Sequence, residues 1–218
     1  MAKSIINFES LKEKKQEEAN QALVSIYEKY FNWVQVNANL RDKVRAKHLF
    51  RQLAFLHPDE TETKEWQELF EHWFAFDYVT IIGSRLFDLY IRKESGNLSA
   101  SELAVGGLIM TSALEPVQII SERTGDEQQA FFPYSNEEKL LAYQPLGPLQ
   151  SLNQGEWYLL RPLRCGFKTV NLGPAVALAP EVKQVVEHVF QSDREKAGEG
   201  HSLSYRKEKG IQFMSYVK

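Results

Sequence analysis

Between Glu13 and Val36, apolar side chains return at spacings of three and four: Leu23, Ile26, Tyr27, Tyr30, Phe31 and Val34. That is the period of one buried helix face, so the pattern predicts a long first helix. A second helix is expected from about Leu40 to Leu56, with Val44, Leu49, Leu53 and Leu56 facing inward. It should end at His57-Pro58, because the residue before a proline is pushed out of the helical region. Asp59 or Thr61 is expected to cap a third helix, and Glu60, Glu62 and Glu65 suit the positive end of its dipole. That helix carries Trp66, Leu69, Phe70, Trp73, Phe74 and Asp77. Tyr78 to Ile82 is apolar and β-branched and reads as a short strand stopped by Gly83. A short helix from Arg85 to Lys93 and a loop at Glu94 to Asn97 follow.

Ser99-Ala100-Ser101-Glu102 has the spacing of a capping box, in which the serine hydroxyl caps the helix and the glutamate reaches back. A helix should start there and run to about Ala113. Gly106-Gly107 in its middle weakens it by about 1 kcal/mol per glycine, so another element is expected to pack closely against the bare backbone.

From Glu115 the texture changes. Apolar runs shorten, and proline and glycine recur every few residues. Strands are expected at Val117 to Ser121, Gln129 to Tyr134, Lys139 to Gln144, Glu156 to Leu163, Phe167 to Leu172 and Val176 to Leu178. Turns are expected at Thr124-Gly125-Asp126, Gly147-Pro148 and Asn153-Gln154-Gly155. Short strands so closely spaced point to a curled sheet or small SH3-like barrel. Pro180 then opens a helix from Glu181 to Gln191, striped by Val182, Val185, Val186 and Val189. The expected class is therefore α+β: a helical domain over residues 1–113, a small β-rich module with a closing helix over 114–191, and a polar C-terminal tail over 192–218.

Composition adds little to this and excludes some classes. The chain has 218 residues, a net charge of -3 and a single cysteine, Cys165. No bulk basic character marks it as a nucleic-acid binder. One cysteine cannot form an internal disulfide, which fits a reducing, cytoplasmic setting. The apolar window Leu103 to Leu114 is too short to span a bilayer, and no secretory signal pattern opens the chain, so no membrane association is expected.

No catalytic, cofactor-binding or metal site emerges. Glu71 and His72 are adjacent and diverge by about 100° on a helix, and His72 and Asp77 share no face. The reading for Asp77 is the end of a core helix, where it caps or hydrogen-bonds the following turn. His48, His57, His72, His188 and His201 show no HExxH spacing, and there is no phosphate-cradling glycine loop. Cys165 beside Arg164 would need a histidine to act as a nucleophile, and it reads instead as a turn cysteine between strands.

Two surfaces remain as candidates. Phe132, Tyr134, Trp157 and Tyr158 would present aromatic side chains to a protein partner if the sheet leaves one face open. Arg41, Arg45 and His48 share one face of the second helix and would contact phosphates if the partner is nucleic acid. The expected role is accordingly a non-enzymatic adaptor or regulatory protein with a protein partner. Nucleic-acid binding and an enzyme with a dispersed site stand behind it.

Phe70-Glu71-His72-Trp73-Phe74-Ala75-Phe76-Asp77-Tyr78, then Leu86-Phe87-Asp88-Leu89-Tyr90, the Leu98-Ser99 helix start and Gly155-Glu156-Trp157-Tyr158-Leu159-Leu160-Arg161-Pro162-Leu163 carry a resemblance. Together they resemble a family of mostly uncharacterised bacterial proteins, many from Firmicutes, that often bear a SEC-C zinc-binding motif. The resemblance covers about Trp66 to Gln191 and implies helices followed by a β-rich part. It brings no activity. SEC-C zinc ligation needs clustered cysteines, and this chain has Cys165 alone, so no zinc site carries over.

Overall fold

A computed structural model describes residues 8–55, 63–146, 152–196, 206–207 and 210–217. The first helix, α1 (Phe8–Asn37), buries Leu23, Ile26, Tyr30 and Val34, the stripe its sequence predicts. Helix α2 (Leu40–Leu53) follows, then α3 (Lys64–Phe76), α4 (Leu86–Glu94) and α5 (Ala100–Thr111). Tyr30 lies at the centre of an aromatic cluster with Phe31, Phe76, Phe87 and Tyr90, and its hydroxyl donates to the Ala75 carbonyl. Rings in such tilted and edge-on contacts add specific attraction to the area they bury. Ser99 and Glu102 form both halves of the capping box that opens α5. Glu102 also accepts from Lys29 and Ser25 of α1, so the cap ties two helices together.

Several expectations are corrected. Helix α2 turns Asp42, Ala46 and Phe50 inward, and Val44 outward. Its phase is set by Phe50, whose ring packs on Trp66, Phe70 and Trp73 of α3. The helix ends at Leu53, and the expected stop at His57-Pro58 and the caps at Asp59 or Thr61 lie outside the described residues. Thr63 caps α3. Tyr78 to Ile82 is not a strand. Val79 bridges Arg85 across a tight turn instead. Of the two helix glycines, Gly106 is close-packed, against Ile91 and Ile26, while a Cβ on Gly107 would meet open space.

The β-part has seven strands: β1 (Glu115–Ile119), β2 (Glu127–Phe132), β3 (Glu137–Ala142), β4 (Trp157–Leu160), β5 (Pro162–Cys165), β6 (Lys168–Asn171) and β7 (Val176–Leu178). Their order in the sheet is β5-β6-β3-β2-β1-β4-β7. Strands β4 and β5 are one run of chain interrupted at Arg161, and the return strand is likewise β6 and β7 around Gly173. One long hairpin therefore supplies both ends of the order. Its first strand pairs with β1 and its second with β3, which curls the sheet back on itself.

The curl creates two cores. Val117, Ile119, Ala130, Phe132, Leu141, Tyr143, Tyr158 and Leu160 fill the inside. The outer face, including Trp157, Leu159, Leu163 and Val170, joins the helices in a larger core that runs through both parts. Helix α6 (Val182–Lys196) closes the sheet, and a final 3-10 turn (Ile211–Tyr216) buries Ile211, Phe213 and Met214. The fold is α+β, with a helical front, a curled sheet and a closing helix.

Candidate interaction surface

The aromatic residues singled out from the sequence are not a surface. Phe132, Trp157 and Tyr158 are all buried, and Tyr134 is half-buried against the larger core. Strand alternation does send Trp157 and Tyr158 to opposite faces, but the curl fills one face and the helices cover the other. The Tyr158 hydroxyl accepts from the Asn153 amide and donates to Glu156, which fixes the preceding turn.

The basic residues of α2 are exposed. Asn39 caps the helix, its side chain accepting from the Arg41 amide at 2.8 Å. Asp42 points inward and accepts from the Tyr78 hydroxyl at 3.2 Å and the Ile81 amide at 3.0 Å. With Asp42, Ala46 and Phe50 seated, Arg41, Arg45 and His48 lie along one exposed side of the helix, and Leu40 and Val44 lie beside them. Lys43 leaves the other side and pairs with Glu71 at 2.8 Å. The α2 sequence holds five Lys or Arg and one Asp, a charge of +4 in a chain of -3, so the remainder carries -7. Charge separated in this way makes a local positive field on a mildly acidic protein.

The residues beyond Tyr78 extend this face. Asp42 ties their backbone to α2, and the Thr80 amide and hydroxyl both donate to the Ser84 carbonyl, at 3.0 and 2.6 Å. Gly83 donates to the Thr80 carbonyl at 2.9 Å and sits at φ +79°, a conformation that suits glycine. The turn is thus rigidly held, yet its tip is Ile81 and Ile82, 62% and 72% exposed. Turn tips favour Gly, Asn, Asp and Ser, because these satisfy or tolerate the backbone there. Two β-branched aliphatics gain nothing from solvent. Eight of the fourteen exposed large apolar residues among those described fall between Val36 and Ile82.

Three other places were candidates for chemistry. Asp77 is the C-cap of α3, its amide donating to the Trp73 carbonyl at 2.9 Å, but its carboxylate reaches beyond the turn. It makes a two-pronged ion pair with Arg161, and both side chains are buried. Arg161 also donates to the Ser112 carbonyl at 3.4 Å and lies over the Phe76 ring. Lys207 is buried nearby, and desolvation pulls its ammonium down to about 8. Cys165 is buried at the end of β5, which pushes its thiol up to about 11 and removes nucleophilic character. His72 meets Tyr27 in a cleft and converges with neither Asp77 nor Cys165. Among the described residues no group of His, Cys, Asp and Glu could hold a metal ion, and no helix is long and apolar enough to cross a membrane.

In the sequence the Ile81-Ile82 tip reads as a strand, because Gly83 directly after an apolar run suits a strand end as well as a turn. In comparisons with known proteins, no family model, no curated protein and no solved structure matches this chain.

Proposed function

We propose that the protein is a non-enzymatic cytoplasmic adaptor or regulatory protein, related to the SEC-C family, that docks a protein partner through α2 and the Thr80–Ser84 turn. The observation that carries this reading is the rigid exposed Ile81-Ile82 tip, which Asp42 ties to the helix that exposes Arg41, Arg45 and His48. Exposed aliphatics clustered on one face mark interaction surfaces. The partner segment would present acidic side chains to the cations and apolar ones to the isoleucines. Complementary charge would speed encounter and select the partner, and the buried apolar area would hold it.

A nucleic-acid partner is the second reading, because Arg41, Arg45 and His48 are exposed on one side of α2. It leaves Ile81, Ile82, Leu40 and Val44 without a role, since a phosphate backbone offers aliphatic groups nothing. Affinity capture from a bacterial lysate, with and without nuclease, separates the two. On the protein reading, one captured protein survives nuclease and is lost with both Ile81→Ser/Ile82→Ser and Arg41→Glu/Arg45→Glu. Capture abolished by nuclease, or indifferent to the isoleucine variant, sinks the protein reading.

A further inference from the structure

A second site lies away from this face, on the side of α2 from which Lys43 departs. A cleft of about 500 Å³ opens between α1, α3 and the β6–β7 junction. Its lining includes Tyr27, Phe31, Glu68, Glu71, His72 and Gly173. The three rings form one cluster, with centroids 4.7 Å apart for Tyr27 and Phe31, 5.1 Å for Phe31 and His72, and 5.8 Å for Tyr27 and His72.

The geometry points to a binding site for a small organic cation, an alkylammonium or quaternary ammonium, held over this aromatic cluster and beside the Glu68 carboxylate. Aromatic faces are electronegative and attract cations, most strongly where water is partly excluded. An imidazolium would repel such a ligand. His72 is neutral, because burial and then the charge of Arg161 hold it down to about 3. The Tyr27 hydroxyl is 2.8 Å from its Nε2 and fixes the ring. Gly173, at φ +107°, lays bare backbone against the other edge, where any Cβ would overlap the imidazole. The ring is thus clamped from both sides.

The carboxylates differ in availability. Glu71 is engaged by Lys43 at 2.8 Å. Glu68 faces Lys64 at 3.5 Å, with both side chains largely in water. An exposed i,i+4 pair of this kind is weak, so a bound ammonium can take the place of Lys64. An anion would instead meet two carboxylates and the ring faces, with Lys64 as its one cationic contact among the lining residues.

The test is a chemical-shift titration of the intact protein with butylammonium, tetramethylammonium and acetate, at constant ionic strength. Saturable shifts of the His72 and Tyr27 ring resonances are expected with the ammonium ions and not with acetate. Glu68→Gln, at an exposed position, should weaken binding about fivefold with the amide spectrum otherwise unchanged, and Phe31→Leu should weaken it by a similar factor. Arg41→Glu/Arg45→Glu should leave it unaffected, which keeps this site separable from the docking face. Absence of saturation with both ammonium ions, equal binding of acetate, or a dissociation constant that Glu68→Gln leaves unmoved overturns the proposal.

Discussion

Replacing Asp77 with asparagine keeps the shape of the side chain and removes its charge. Arg161 would then be buried, with 1% of its side chain exposed, and without its counter-ion. Its remaining acceptors would be the Ser112 carbonyl at 3.4 Å and the amide oxygen of the new side chain. Lys207 stands close enough for its own charge to be felt. Removing one member of a buried pair costs about 3–5 kcal/mol, because the survivor cannot be rehydrated. That is a large share of the roughly 5–15 kcal/mol that holds a typical domain folded. Urea unfolding of Asp77→Asn should show that loss, and the midpoint of thermal unfolding should fall by about 10 °C. Replacing both partners together, Asp77→Leu with Arg161→Met, should cost much less than the two single losses combined. Single and double losses that simply add, or a loss below about 1 kcal/mol for Asp77→Asn, would refute the reading of Asp77 and Arg161 as a coupled, desolvated pair.

The α5 glycines should behave oppositely. Gly107→Ala meets open space and should stabilise by about 0.5–1 kcal/mol in chemical denaturation. Gly106→Ala gains the same propensity but presses its Cβ to 2.9 Å from Ile91 and 3.2 Å from Ile26, so it should be less favourable, and Gly106→Leu should destabilise. His72 should titrate near 3 by NMR rather than near 6.5. A base whose folded value is depressed contributes stability that is full above 6.5 and is lost as pH falls from 6.5 through 3. His72→Gln should therefore flatten the acid limb of the stability profile, and an imidazole midpoint above 6 would contradict the neutral ring.

The Ser99 capping box, the stripe of α1 and nearly every strand could be read from the chain, because each depends on residues a few positions apart. The α+β class follows from them, since a 3.6-residue period gives way to short alternating runs. Tertiary contacts decided the rest. The phase of α2 depends on which of its apolar residues meets Trp66, Phe70 and Trp73, and that is Phe50 rather than Val44. Whether Trp157 or Tyr158 reaches solvent depends on the sheet curling and on helices covering its back, and both happen. Asp77 does cap α3, but the partner of its carboxylate, Arg161, is 84 residues away and no local pattern announces it. Tyr27 and His72, 45 residues apart, form a pair that no spacing announces. Local pattern fixes which elements exist. Which faces remain open, and which charges are buried together, is settled only when distant elements compete for the same apolar surface.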